Sequence, residues 1–367
     1  TDAQRHDPQQ VTLPPMHPDT PEFRREWAWH YDNVTAMDYQ AGDVLAELEQ
    51  DGLADNTIVF FFSDHGTGMP AIKMFAWESS LRVPLLIRFP DRWRDWAPAS
   101  AGETTDRLVS FVDFAPTVLS LAGVEIPDAM QGRAFLGAQA ERPRDWIFGG
   151  KDRQAECFDT IRFVRNDRFQ YNRNFHPELP FGQPMSYLWN HDSWHAWKGL
   201  HDEGKLSGPA ARFFAAHKPV EELYDVHRDP WQIHNLADDP AHRDVLLEMR
   251  AKLAAEMAQA GDLGLLPERE MDLRSRGSTP FEIATDPAVN PIEKLLDATW
   301  IANQMDGSRL PELVALLDDP DAAVRWWGAI GLVALGEQAA SASDRLTEAL
   351  SDSSPDVRVA AAEALYN

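Results

Sequence analysis

Ser63-Asp64-His65-Gly66 sets a hard carboxylate beside an imidazole, directly after the apolar run Thr57-Ile58-Val59-Phe60-Phe61-Phe62. That run, with its β-branched and aromatic residues, reads as a strand buried on both faces, as in a parallel α/β sheet. Open α/β sheets bind ligands beyond the carboxyl ends of their strands, so Asp64 and His65 stand where one metal ion could take both. Asp and Gly are also common turn formers, and a solvated turn accounts for the dipeptide equally well. Eight residues on, Lys73 offers a compact cation suited to an anionic oxygen, although most lysines lie at the surface without such a role. Glu78 and Arg82 are four apart and suited to pair with each other across the same loop.

The elements that must hold these residues have clear signatures. Residues 1–19 are polar and proline-rich, an extended lead-in. Thr20 can cap a helix with Pro21 in its first turn. Phe23, Trp27, Tyr31, Val34, Met37, Val44 and Leu48 then follow at helical spacing as far as Asp51-Gly52. A second buried strand is expected over Val83 to Phe89, and an apolar helix over 107–123, closing at Gly123. From about Trp146 the pattern changes to short alternating segments, Asp159–Arg165 and Phe169–Arg173, which predict antiparallel strands. Residues 177–218 are rich in Trp, His and Pro and show no period, so no element is assigned there. A helix is expected over 241–260 and a loop-rich linker over about 262–292.

The last segment repeats. Leu313, Leu317, Val324-Arg325, Ala329 and Leu332 recur 33 residues later as Leu346, Leu350, Val357-Arg358, Ala362 and Leu365. Two helices per unit with a Pro-Asp…Val-Arg start resemble HEAT repeats, of which about three or more normally make a stable solenoid. The expected geometry sets Leu313, Leu317, Ala329 and Leu332 against Leu346, Leu350, Ala362 and Leu365.

Composition narrows the function classes. The chain has 367 residues, enough for two or three domains, and a formal charge of −25. That charge argues against nucleic acid or an anionic membrane as partner. It also means that any anionic ligand needs cations concentrated locally. No run approaches the ~20 apolar residues that span a bilayer, and no basic, apolar leader is visible. The single cysteine, Cys157, excludes an intrachain disulfide or a multi-cysteine zinc site. The 13 tryptophans suit carbohydrate stacking and, better, core packing. The opening on Thr1 and the stop inside a repeat unit give the chain the look of a piece of a longer polypeptide.

Ser63-Asp64-His65-Gly66, Lys73, Trp77-Glu78 and Arg82-Val83-Pro84 together resemble the second signature half of the type I sulfatase family, within the alkaline-phosphatase-like superfamily. Support comes in family order from Asp38 and Gly42, then Leu48-Glu49, Gly52-Leu53 and Asp55-Asn56-Thr57-Ile58-Val59. Ser110, Asp113, Pro116-Thr117 and Leu121-Ala122-Gly123 continue it, followed by Glu222-Leu223-Tyr224-Asp225, Asp229-Pro230 and Asn235-Leu236. A bare Asp-His-Gly is common to the superfamily; the whole set is far more specific. The resemblance implies hydrolysis of sulfate esters by a formylglycine made from the Cys or Ser of a Cys/Ser-x-Pro-x-Arg motif. It also implies a Ca²⁺ ion with Asp64 and His65 among its ligands, and Lys73 as the catalytic cation on the sulfate oxygens. Arg153, Arg165, Asn174 and His176 fall where the family's smaller domain borders the cleft, so Arg153 and His176 are candidate contacts to a sulfated carbohydrate. Exposed strand-surface charges are the commoner fate of such residues.

Three features depart from the family pattern. No Cys-x-Pro-x-Arg or Ser-x-Pro-x-Arg occurs, and Cys157 sits in Glu-Cys-Phe-Asp, so the nucleophile is expected upstream and this chain alone is expected to be inactive. The loop from His65 to Lys73 is short, and the repeat tail is an addition that offers a surface for a protein partner. The expected architecture is an α/β main domain with a mixed sheet between helices, its N-terminal half missing, over 1–144. A small antiparallel α+β subdomain over 145–262, a linker over 263–305 and HEAT-like repeats over 306–367 complete it. Family habit implies a periplasmic or extracellular location. A metal-dependent phosphoesterase or phosphotransferase of the same superfamily, and a non-catalytic binding protein on a repeat scaffold, are the alternatives.

Overall fold

The computed structural model describes residues 4–367. Thr20 Oγ1 accepts from the Phe23 N–H at 3.3 Å and Pro21 fills the first turn, so helix α1 runs Pro21–Gln50. Phe23, Trp27 and Ala28 bury its first half, whereas Val34, Met37 and Val44 on the second half are exposed. Strand β1 is Val59–Phe62, helix α2 Glu78–Leu81 and strand β2 Leu85–Arg88. The two strands pair antiparallel from Val59↔Arg88 to Phe62↔Leu85. The double-sided burial expected of β1 is not found, since none of its residues is fully buried and Phe62 is 44% exposed. Each strand has one hydrogen-bonded neighbour among the described residues, and Phe60 and Phe62 meet the rings of Phe114 and Phe111. Helix α3, Phe114–Leu121, ends before Gly123, whose φ of 67° favours glycine at this helix end.

The alternating segments become a four-stranded antiparallel sheet. It comprises β3 (Ile147–Gln154), β4 (Cys157–Arg165), β5 (Phe169–Asn174) and β6 (Glu221–Asp225), in that spatial order. The unassigned stretch between β5 and β6 holds helices α4 (Asp192–Asp202) and α5 (Pro209–Arg212). Its Trp194, Trp197, Phe213 and Phe214 are buried with Phe23 and Trp27 of α1. The two helices are short and separated by loops, which leaves no long period to read. Helix α6, Arg243–Ala260, buries Leu246, Met249, Leu253 and Met257 on one face against the sheet residues Val164, Tyr171 and Leu223.

The expected linker is built in. It contains α7 (Glu268–Arg274), α8 (Pro280–Ile283) and α9 (Ile292–Ala302), and it buries Leu265, Leu266 and Leu295. The repeats follow as α10 (Leu310–Leu316), α11 (Ala322–Leu335), α12 (Ser343–Ala349) and α13 (Pro355–Tyr366). Helix α11 lies against α9, α10 and α13 and is buried nearly all round. Arg325 joins the two units through Asp352 at 2.7 Å. Trp327 Nε1 donates to Leu265 O at 2.9 Å, and one hydrophobic core runs from Val164 of the sheet to Ala364. Leu313, Leu317, Ala329, Leu332 and Leu346 are buried as expected, but Leu350, Ala362 and Leu365 are exposed. The final helix instead turns Val357, Ala360, Ala361 and Ala364 inward, and its other face meets no neighbour among the described residues.

Candidate functional site

The Asp64-His65 turn is held by its own atoms and by the backbone of α2. Ser63 Oγ donates to His65 O at 2.7 Å, and the Gly66 N–H donates to Ser80 O at 2.9 Å. A Cβ on Gly66 would meet Ser79 O at 2.0 Å, so only glycine lets the turn approach α2. His65 Nδ1 is 2.6 Å from Gly66 O, and a carbonyl can only accept, so Nδ1 carries the proton. His65 Nε2 lies 3.3 Å from Asp64 Oδ2. With a proton on Nε2 the two form an ion pair; with a lone pair there, a cation between them takes both donors. The Asp64 side chain is 81% exposed and open to such a cation. No group of three or more potential ligands occurs among the described residues. Two donors therefore fit a metal as part of a set, short of the six to eight oxygens that calcium takes.

Lys73 sits on the return loop. Its N–H donates to Thr67 O at 3.2 Å and its ammonium lies 5.5 Å above the Tyr187 ring. Tyr187 in turn donates from its hydroxyl to Gly68 O at 3.2 Å. From α1, His30 Nδ1 meets the Thr67 hydroxyl at 3.3 Å, and burial holds the His30 imidazole below its usual pKa. Trp27 Nε1 donates to His17 Nδ1 at 3.0 Å, which leaves His17 Nε2–H to donate to Pro70 O at 2.7 Å. Burial lowers the His17 pKa to about 4.

The Glu78–Arg82 pair does not form. Glu78 is buried and bonds Arg165 of β4 at 2.8 Å, while Arg82 is exposed. Of the four downstream candidates, Arg165 alone has a recorded bond to this loop. Arg153 pairs with Glu268 at 2.5 Å, and Asn174 Nδ2 donates to Pro219 O and Glu222 Oε1. His176 is 2% exposed, bonds Glu178 through Nδ1 at 2.8 Å and stacks on Trp327. Asp113 of the downstream motif is buried on Arg144 at 2.7 Å, a structural role. The Cys157 thiol donates to Pro184 O at 3.0 Å, and burial raises its pKa. Sequence reasoning missed His30 and Tyr187. His30, three residues after Trp27, could have been found on the α1 stripe; Tyr187 lies where no period exists.

Residues 4–124 match the family model described as Sulfatase, and residues 298–367 the one described as HEAT repeats. The chain carries a sulfatase-family domain. It is 39% identical over 280 residues to an ulvan-active sulfatase of Formosa agariphila, covering 76% of this chain and 46% of that protein. It is 28% identical over 267 residues to the N-sulphoglucosamine sulphohydrolase of Homo sapiens, covering 68% of this chain and 51% of the other. The chain thus spans about half the length of these curated relatives. A solved 2-O GAG sulfatase aligns over 67% of this chain and 46% of its own, at 22% identity and TM-score 0.48. No helix among the described residues is long and apolar enough to cross a membrane.

Proposed function

We propose that this chain is part of a sulfatase that hydrolyses sulfate esters on a carbohydrate. The likeness to the sulfatase family supports the reaction class, and the closeness of His65 Nε2 and Asp64 Oδ2 sets two donor atoms side by side for a cation. Asp64 and His65 are two ligands of that ion, assigned as Ca²⁺ from the hard carboxylate. When bound, it holds a sulfate oxygen and withdraws charge from it. Lys73 reaches the same sulfate from the return loop, and its fixed cation stabilises the charge that gathers on oxygen as the S–O bond breaks. No Cys-x-Pro-x-Arg or Ser-x-Pro-x-Arg lies within the 367 residues, so the nucleophile comes from outside them and the chain alone turns over no sulfate ester. Arg153 and His176 take structural places in this reading, because Glu268 and Glu178 already engage them.

Kinetics on a longer protein carrying the upstream segment test the proposal. Turnover of a sulfated oligosaccharide should stop on metal chelation and return with Ca²⁺, and Asp64→Asn should need far more Ca²⁺. Turnover of phosphate monoesters in preference to sulfate esters would favour the phosphoesterase alternative instead. Export to the periplasm or medium follows if the substrate is a polysaccharide, and cell fractionation that finds the protein in the cytoplasm counts against it.

A further inference from the structure

Lys73 lies in backbone that is out of the ordinary range on both sides: Ala71 has φ 60° and Met74 φ 81°. Side chains other than glycine hold that left-handed region only where the surroundings over-determine it. The determinants arrive from another subdomain. Ala76 O accepts from Gln170 Nε2 at 2.6 Å and from Asn172 Nδ2 at 2.9 Å. Gln170 Nε2 also donates to Asn172 Oδ1 at 2.8 Å, so the two amides brace each other. Two residues on, the Glu78 N–H donates to Gln232 Oε1 at 2.5 Å, and the Glu78 carboxylate is gripped by Arg165.

Gln170 and Asn172 alternate along β5 with Phe169 and Tyr171, which join the core shared with α6. The opposite face, against the loop, is therefore buried and polar. Gln170 is fully buried and Asn172 1% exposed, and Gln170 Oε1 and Gln232 Nε2 have no partner. Packing alone would favour apolar side chains there, since buried amides are costly unless satisfied. What amides add is direction: two donors converge on one carbonyl and set the backbone three residues after Lys73.

We propose that Gln170 and Asn172 are positioning residues for Lys73, holding its strained loop so that the ammonium points at the sulfate. The proposal rests on the assignment of Lys73 to sulfate, and its test has one arm independent of that assignment. In this chain, Gln170→Met with Asn172→Leu removes both donors at similar volume. The amides of Ile72 to Glu78 should then exchange with deuterium about tenfold faster or more, while those of Leu246 to Met257 stay as in wild type. Unchanged loop exchange overturns the clamp. If the double variant fails to fold, Asn172→Ser takes its place with the same criterion. In the longer protein the double variant should lower kcat about tenfold with KM within twofold, the pattern of an interaction lost in the transition state. In a Lys73→Ala background the same substitutions should add less than twofold, because their effect passes through Lys73. A full tenfold loss in that background overturns the proposal even if exchange behaves as expected. A Lys73→Ala variant as active as wild type removes the assignment of Lys73 itself, and the proposal with it.

Discussion

The Asp64-His65 turn and the Lys73 loop lie eight residues apart and are held by different kinds of force. The turn relies on short-range bonds, Ser63 to His65 and His65 to Gly66, with one backbone bond from Gly66 to Ser80 of the neighbouring helix, and leaves the Asp64 carboxylate open. The loop is held by residues 87 to 154 positions away, Arg165, Gln170, Asn172 and Gln232. A locally made turn can adjust when an ion arrives. A cation that must meet a developing charge gains from being fixed beforehand, because nothing then reorganises as the reaction proceeds. The difference predicts that the loop is sensitive to distant substitutions and the turn is not.

The largest effect should come from Arg165→Leu, which leaves the buried Glu78 carboxylate without its partner. Urea unfolding of this chain should show a loss of about 3–5 kcal/mol, the scale for breaking a buried ion pair from one side. A loss under about 1 kcal/mol, the scale of exposed pairs, would mean that the pair does not anchor the loop. Next, Lys73→Ala in the longer protein should cut kcat/KM by about 10²-fold, as for one preorganised charge-stabilising donor. Its melting temperature should stay unchanged, and Lys73→Arg should rescue poorly because a guanidinium is planar and bulkier. Near-wild-type kinetics would place Lys73 among ordinary surface lysines.

A smaller effect is set by His17, which ties α1 to Pro70 at the root of the Lys73 loop. Its pKa is about 4 in the folded chain against 6.5 in the unfolded one. Between those values the unfolded chain binds a proton that the native chain refuses, so stability falls as pH drops through that window. The loss should be about 2 kcal/mol between pH 7 and pH 5. Urea unfolding at the two pH values should show it, and His17→Gln should flatten it; an equal slope in both proteins would show that His17 is not the source. The smallest effect belongs to the turn. Asp64→Asn should shift stability by less than about 0.5 kcal/mol, as for other exposed sites. A larger loss would make the turn a structural element rather than an open ligand.

What the sequence determined by itself is what short-range physics decides. The Thr20 cap and Pro21 start α1, alternation marks β4 and β5, and helical spacing marks α6. The 33-residue period identifies the repeats, and a turn follows the apolar run ending at Phe62. Each of these depends on neighbours a few residues away, so the pattern along the chain carries it. Tertiary structure alone decided the partners. Glu78 is four residues from Arg82 yet bonds Arg165, because β4 brings that guanidinium to a buried carboxylate while Arg82 stays in water. His176 stacks on Trp327, 151 positions downstream, because the repeats dock on the sheet. Leu350 and Leu365 repeat Leu317 and Leu332 in sequence and stay exposed where those are buried. Burial depends on what packs alongside: α11 lies between α9, α10 and α13, whereas α12 and α13 pack on each other and α13 on α11.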